Sequence, residues 1–254
     1  ILIATTVMGM PMGISMIVSS IFYLIMSGRD VGLAAEMVLN GVFGNFVALA
    51  VPLFIFAANI MNASQISDRL LKFALAMVGR LPGGLAQVNI FTSLLFSGMS
   101  GSAVSDVAGV GKILTNMMTE GNRYPRGFAG AVTATSSVVG PIFPPSIPMV
   151  FYALISSTSV GALFLGGVVP ALMVVVTLGV VVAVVARRRG FPVETPVALR
   201  AIPLIVVQAL PPLMMPVILL GGIYTGAFTP TEAAAVSAFY ALLLAVFAYR
   251  SLSL

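Results

Sequence analysis

The chain has 254 residues, of which 59% are hydrophobic and 7% charged, with a formal net charge of +5 and a mean hydropathy of +1.13. A soluble domain carries about 25% charged residues, so a water-facing globular enzyme of this size is excluded, whereas a surface facing hydrocarbon needs no charge. The twelve Lys and Arg are dispersed among loops between apolar runs, which is the distribution of a membrane protein and not of a nucleic-acid binder.

The first apolar run extends from Ile1 to Met26 and is interrupted only by Gly, Pro11, Ser and Thr. It begins without Met and without a basic leader or cleavage site, so the N-terminus is expected to be trimmed into the first span. Gly28 to Asn45 carries Arg29, Asp30, Glu36 and Asn40 and predicts a loop followed by an amphipathic interfacial helix. A second run covers Phe46 to Met61. Ser64 to Arg80 alternates Asp68, Arg69, Lys72 and Arg80 with Leu and Phe, predicting an amphipathic helix at the membrane surface. The string LPGG, Leu81 to Gly84, is a turn.

Between Leu85 and Met118 lie two apolar pieces separated by SGMSGSAVSD, Ser97 to Asp106. Each piece is too short to cross a hydrocarbon core of about 30 Å, so the pair predicts a re-entrant helical hairpin with a small-residue tip. A polar loop, Thr119 to Arg126, follows. Gly127 to Ser157 is then interrupted by GPIFPPSIP, Gly140 to Pro148, with four prolines in nine residues. Each proline removes an N–H donor and clashes one turn back, so this segment predicts a discontinuous helix.

Val160 to Ala186 predicts a clean span ending in Arg187, Arg188 and Arg189. The loop through Arg200 is the strongest Lys/Arg cluster and is expected in the cytoplasm. Ile202 to Leu220 predicts a span kinked by Pro203, Pro211, Pro212 and Pro216. Ala233 to Phe247 is the last apolar run, followed by Arg250. The fold class is an all-α membrane protein: a multi-span helical bundle with a re-entrant hairpin and a discontinuous helix.

The hairpin tip and the broken helix both place backbone outside helical bonding within the bilayer. That is tolerated only where backbone is buried in protein or lines a watery cavity. The tip offers the hydroxyls of Ser97, Ser100, Ser102 and Ser105, with Gly98 and Gly101 permitting close approach. The break offers carbonyls of Gly140, Ile142 and Phe143, because Pro144, Pro145 and Pro148 leave their partners vacant. Such oxygens suit a hard monovalent cation such as Na⁺, whereas the structural alternative is a proline kink beside a Gly/Ser packing seam. Asp106 reads either as a functional intramembrane carboxylate or as an acid at a helix N-terminus. Lys112 reads as facing the cavity or snorkelling outward. Glu232 fits a capping box with Thr229 at N-cap and Pro230 at N1.

Enzymatic readings fail on missing groups. GMSG, Gly98 to Gly101, matches the GxSG string of intramembrane serine proteases, but the chain has no His to act as base. Only one carboxylate lies inside an apolar run, so an aspartyl dyad is absent, and a metal centre is poorly supported without His, Cys or clustered carboxylates. No cofactor is expected other than Na⁺ as a coupling ion.

Four strings together resemble the large membrane subunit of the TRAP (tripartite ATP-independent periplasmic) transporters: PLFIFAANIMNAS (Pro52 to Ser64), FSGMSGSAVSDVAGVG (Phe96 to Gly111), GPIFPPSIPMVFYALISSTSVGALFLGGVVPALM (Gly140 to Met173) and GGIYTGAFTPTEAAAVSAFYALLLAVF (Gly221 to Phe247). The resemblance implies an ion-transporter superfamily fold of elevator type with inverted repeats. It implies a small membrane subunit and a periplasmic solute-binding protein as partners, and import of an organic carboxylate (C4-dicarboxylate, keto acid, sugar acid or sialic acid) on a Na⁺ gradient. The expected location is the cytoplasmic (inner) membrane of a bacterium or archaeon. By position, Ser100 to Asp106 matches the first hairpin tip and Gly140 to Pro145 the broken helix of the first Na⁺ site. The expected substrate contacts are therefore Ser100, Ser102 and Asp106, and the expected Na⁺ ligands Ser102, Ser105, Gly140, Phe143 and Pro145.

The expected organisation is scaffold spans and connecting helices over 1–84, a transport-domain part over 85–158 (hairpin 85–118, broken helix 127–158), and following spans over 159–254. The last part includes the cytoplasmic loop 187–200 and the start of a second repeat. The family's second hairpin and second broken helix do not follow FTPTE before Leu254, so the C-terminal repeat is expected to be largely missing, through a fragment or a split or truncated gene. Two other functions fit the same residues: a carboxylate/Na⁺ symporter of the same superfamily that needs no binding protein, and a non-transporting membrane scaffold subunit.

Overall fold

A computed structural model describes residues 1–44, 46–64, 66–195 and 197–249. Asn45, which closes the predicted interfacial segment, and Arg250, after the last run, lie outside the described residues. In chain order the helices are α1 (Leu2–Val7), α2 (Met12–Met26), α3 (Gly32–Phe43), α4 (Ala50–Ala63), α5 (Ile66–Val78), α6 (Gly84–Ser100), α7 (Ala103–Asp106), α8 (Lys112–Thr119), α9 (Arg126–Ser136), α10 (Ile147–Ser156), α11 (Val160–Arg189), α12 (Ile202–Tyr224) and α13 (Pro230–Leu243). No strand occurs among the described residues, so the protein is all-α. Among the described residues, four segments are long and apolar enough to cross a membrane: Phe46–Ala63, Val160–Arg189, Ile202–Tyr224 and Pro230–Ala248.

The chain forms two compact units, Ile1–Leu49 and Ala50–Leu254. In the first, the single run expected from Ile1 to Met26 is divided. α1 ends at Val7, and Pro11 is the N-cap of α2. Proline fixes φ and has no N–H to continue a helix through it, which leaves α2 at 15 residues. α2 and α3 pack together, and their apolar side chains Met16, Ile17, Tyr23 and Met37 are exposed, as lipid-facing residues are.

In the second unit, α4 packs on α13, and α5 on α6 and α12. Small residues make the close α4–α13 approach feasible: Ala57 and Ala58 on one helix, and Ala234, Ala238 and Ala241 on the other, are buried. α5 is the amphipathic helix expected between Ser64 and Arg80. Its apolar face, Ile66, Leu70, Leu71 and Ala74, is buried against protein, leaving Lys72 and Arg69 on the other side of the helix.

α12 stays one helix despite Pro211, Pro212 and Pro216. Pro212 cannot donate to the carbonyl of Gln208, and the Tyr249 hydroxyl donates to that carbonyl instead, at 3.3 Å. Freed carbonyls in a membrane helix need such substitutes. Tyr240 of α13 donates to the Pro211 carbonyl at 2.9 Å, a further tie between the two helices.

The segment after α11 lies over both feet of the hairpin. Glu194 N–H donates to the Gly79 carbonyl, and Arg80 donates to the Val197 carbonyl. On the other foot, Arg123 pairs with Glu194 and the Tyr124 hydroxyl donates to the Pro192 carbonyl. Tyr124, Phe128 and Phe191 form an aromatic cluster beneath; burial, helped by the Glu194 carboxylate, pushes the Tyr124 phenol above its usual pKa. One short strap thus joins the start of α6, the end of α8 and the end of α11 on one side of the molecule.

Candidate functional site

The hairpin forms as α6, a turn, and a second arm made of α7, a π turn over Val107–Gly111, and α8. α6 has 17 residues, about 26 Å at 1.5 Å per residue, a little short of a hydrocarbon core of about 30 Å. The turn is tighter than the ten-residue string predicted. Ser97 to Ser100 remain in α6, and Ala103 to Asp106 are already in α7, so only Gly101 and Ser102 lie outside helix. Gly101 takes φ +61°, a left-handed conformation, and closes α6. Ser102 caps α7, its hydroxyl accepting the Ser105 N–H at 3.4 Å.

The broken helix also forms, with α9, a 3₁₀ turn over Ser137–Val139, an irregular stretch, and α10. Within the break, Ile142 and Phe143 N–H both donate to the Val139 carbonyl, and Pro144 and Pro145 have no N–H to give. Ser146 caps α10 through Met149 N–H and donates its own hydroxyl to the Pro141 carbonyl at 2.6 Å.

Tip and break meet. Ile147 N–H, the first of α10, donates to the Gly101 carbonyl. A Cβ on Gly101 would stand 2.6 Å from the Pro145 carbonyl oxygen. A Cβ on Gly140 would stand 3.1 Å from Ala103 N and 3.2 Å from Asp106 Oδ2. Asp106 is 4% exposed; its Oδ1 accepts the Ser100 hydroxyl at 2.6 Å, and its Oδ2 has no hydrogen-bond partner among the described residues. The side-chain cap of α7 is Ser102, while Asp106 lies in the first turn of α7, as expected of an acid at a helix N-terminus, and also reaches across the turn to Ser100.

Of the residues singled out from the sequence, Ser100, Ser102, Asp106, Gly140 and Pro145 come together at this junction. Ser105 looks the other way, toward α4, where Asn62 Nδ2 approaches its hydroxyl at 3.4 Å. The Phe143 ring lies against Gly98, beside Pro216 of α12. Ser97 turns back on its own helix, donating to the Leu94 carbonyl, and Lys112 is exposed and does not reach the tip cavity.

That cavity, about 440 Å³, is bounded by Ser100, Ser102, Ser105 and Gly109 of the hairpin, Ile147 of α10, and Asn59 and Asn62 of α4. The asparagines escaped the sequence reading. Their signal was two amides three residues apart in the otherwise apolar string PLFIFAANIMNAS. A second polar group, also missed, ties the first hairpin arm to α9 and α8. Asn89 Nδ2 donates to Thr133 Oγ1 at 2.7 Å, Ser136 donates to Asn89 Oδ1 at 3.3 Å, and Thr115 meets Thr133 at 2.8 Å. Every member is buried or part-buried and bonded, so the network rigidifies the contact.

The donor set at the junction is entirely oxygen: a carboxylate, hydroxyls and main-chain carbonyls. It suits a hard cation of low charge better than a soft metal, and among the described residues no group of three or more His, Cys, Asp or Glu could hold a metal ion.

The family model for the tripartite ATP-independent periplasmic transporter, DctM component, matches residues 1–254. The chain is 42% identical over 247 residues to the sialic acid TRAP transporter large permease protein SiaM of Vibrio cholerae, covering 97% of this chain and 57% of that protein. It is 37% identical over 253 residues to the C4-dicarboxylate TRAP transporter large permease protein DctM of the same organism, covering 99% and 56%. With the isethionate TRAP transporter permease protein DctMQ of Oleidesulfovibrio alaskensis it shares 36% identity over 249 residues, covering 97% and 39%. The chain therefore spans about half the length of the curated relatives it matches.

Proposed function

This chain belongs to the DctM-component family of tripartite ATP-independent periplasmic transporters, and from that premise we propose that it is the hairpin-bearing part of a large permease importing an organic carboxylate with Na⁺. It acts beside a small membrane subunit and a periplasmic solute-binding protein, in the inner membrane. The relatives' named cargoes, sialic acid, C4-dicarboxylate and isethionate, are all organic anions. The one observation that carries the Na⁺ assignment is the junction itself. Two interruptions far apart in sequence are hydrogen-bonded to each other through Gly101 and Ile147, and bury an Asp106 oxygen that no described residue satisfies. A buried carboxylate oxygen without a partner is costly, and a cation at the junction relieves that cost.

In this mechanism Ser100 orients the carboxylate through its 2.6 Å bond. Ser102 and the carbonyls of Gly140, Phe143 and Pro145 are the further oxygens available around the ion, whereas Ser105, expected from the sequence as a ligand, is turned toward α4. Filling the junction draws tip and break together, and the substrate is held in the adjoining cavity by Ser100 and Ser102. The seam through Asn89, Thr133 and Ser136 makes hairpin and broken helix one body, which supports an elevator movement as a unit. The Arg187 to Arg189 end of α11 sets the strap, and with it both hairpin feet, on the cytoplasmic side.

The test is Na⁺-dependent uptake by the assembled transporter reconstituted in proteoliposomes. Asp106→Asn is expected to raise the Na⁺ concentration for half-maximal uptake at least tenfold while leaving membrane insertion intact. An unchanged Na⁺ dependence would overturn the reading.

A further inference from the structure

α4 carries two side chains that neither the helix's packing nor the ion site uses. Its inner face, Phe54, Ala57, Ala58, Ile60 and Met61, is buried. Asn59 and Asn62, three residues apart, share the opposite face and are exposed. Residues three apart on a helix are neighbours, and two amides turned to hydrocarbon would carry an unmet desolvation cost. Both instead line the cavity in front of the hairpin tip.

Asn62 is held in place. The π turn of the second hairpin arm bends at Gly109 (φ −85°, ψ −106°), bringing its backbone so near that a Cβ there would stand 2.8 Å from Asn62 Oδ1. On its other side Asn62 Nδ2 reaches Ser105 Oγ. A π turn is seldom kept without use and recurs at functional sites; here it provides the room for an amide. Asn59, one turn earlier, has no hydrogen-bond partner among the described residues, so its two donors and its acceptor are open to a ligand.

The chemistry of the lining decides which part of a ligand fits. Asn59, Asn62, Ser102, Ser105 and the backbone at Gly109 are its polar, neutral points, set among Ile55, Ala58, Val104, Ala108 and Ile147, and among the described residues no Lys or Arg lines the cavity. A carboxylate is met by charge or by several converging donors, whereas hydroxyl, carbonyl and amide groups are matched by amides that both donate and accept. We propose that Asn59 and Asn62 are specificity-determining residues, forming the wall that reads the neutral hydroxyl and carbonyl groups of a polyoxygenated carboxylate. The proposal rests on the transport reading above and extends it to α4. It places the substrate's uncharged portion against α4 and its charged end toward the hairpin tip. A site built to hydrogen-bond such groups discriminates strongly against analogues lacking them, because its own amides are then left unpaired.

The test uses the purified, assembled transporter in Na⁺, with N-acetylneuraminate and gluconate as hydroxylated probes and succinate as a probe without hydroxyls. Affinities are measured by calorimetry, and a Na⁺ titration of thermal unfolding is run in parallel. The wild type is expected to bind a hydroxylated probe more tightly than succinate. Asn59→Leu and Asn62→Leu are each expected to weaken that binding tenfold or more and to leave succinate affinity within about twofold. Asn59→Leu is also expected to leave the Na⁺ midpoint where it was. Undiminished affinity in both variants, equal losses for all probes, or a wild type selective for succinate overturns the assignment while the Na⁺ reading stands. Absence of any Na⁺-dependent carboxylate binding by the wild type removes the transport reading as well, so the two failures are distinguishable.

Discussion

At the scale of single residues, the junction depends on places where a side chain cannot exist. Gly101 combines left-handed backbone with a neighbouring Pro145 carbonyl that a Cβ would approach to 2.6 Å. The conformational penalty alone is about 1–3 kcal/mol, and the contact is with backbone, which cannot step aside. Gly101→Ala is therefore expected to separate tip from break and reduce Na⁺-dependent uptake more than tenfold. Gly166, whose Cβ would meet nothing, is the control, and Gly166→Ala should be silent in the same assay. The glycine and serine positions of the tip were readable from the string SGMSGSAVSD, but not which of them leave the helix. Four residues on each side of Gly101–Ser102 are helical because one left-handed glycine and one serine cap suffice to reverse the chain.

At the scale of elements, the helices hold where lost backbone bonds find substitutes. Pro212 leaves the Gln208 carbonyl without its helical donor, and Tyr249 supplies one from the end of the last span. Tyr249→Phe removes that hydrogen bond while keeping the ring over which Arg69 sits. A net loss of about 1 kcal/mol is expected, read as a lower unfolding temperature in detergent with no change in Na⁺ response. The capping box at α13 is complete, with Thr229 and Glu232 bonded reciprocally, and Thr229→Ala should cost about 1 kcal/mol in the same measurement. The box was legible because it is local: four residues in sequence contain the whole interaction. The amphipathic pattern of α5 was equally legible, yet its placement was not. An apolar stripe says that something covers it, and whether lipid or protein does so depends on α6 and α12.

At the scale of the molecule, the strap fixes sidedness. Glu194 and Pro192 bind Gly79 on one hairpin foot and Arg123 and Tyr124 on the other, so both feet lie on the side where α11 ends. α11 has 30 residues, about 45 Å, enough to cross with its three arginines beyond the hydrocarbon. These 254 residues contain no Cys, so none of them competes with an introduced one. Arg188→Cys and Glu120→Cys are expected to react with a membrane-impermeant thiol reagent only from the cytoplasmic face, and Thr225→Cys only from the opposite one. Reaction of Glu120→Cys and Arg188→Cys from opposite faces would mean that the hairpin spans the bilayer and is not re-entrant.

Sequence by itself determined what depends on composition and on neighbours along the chain: the membrane as solvent, the apolar spans, the proline break, the hairpin and the absence of catalytic groups. Bilayer thickness and the helix repeat set those features without reference to distant residues. Tertiary structure alone decided that the tip closes on the break, that Asp106 meets Ser100 across the turn, and that the amides of α4 face the same cavity. Those outcomes are contacts between segments tens of residues apart, and such contacts follow from how helices pack, which no local pattern encodes.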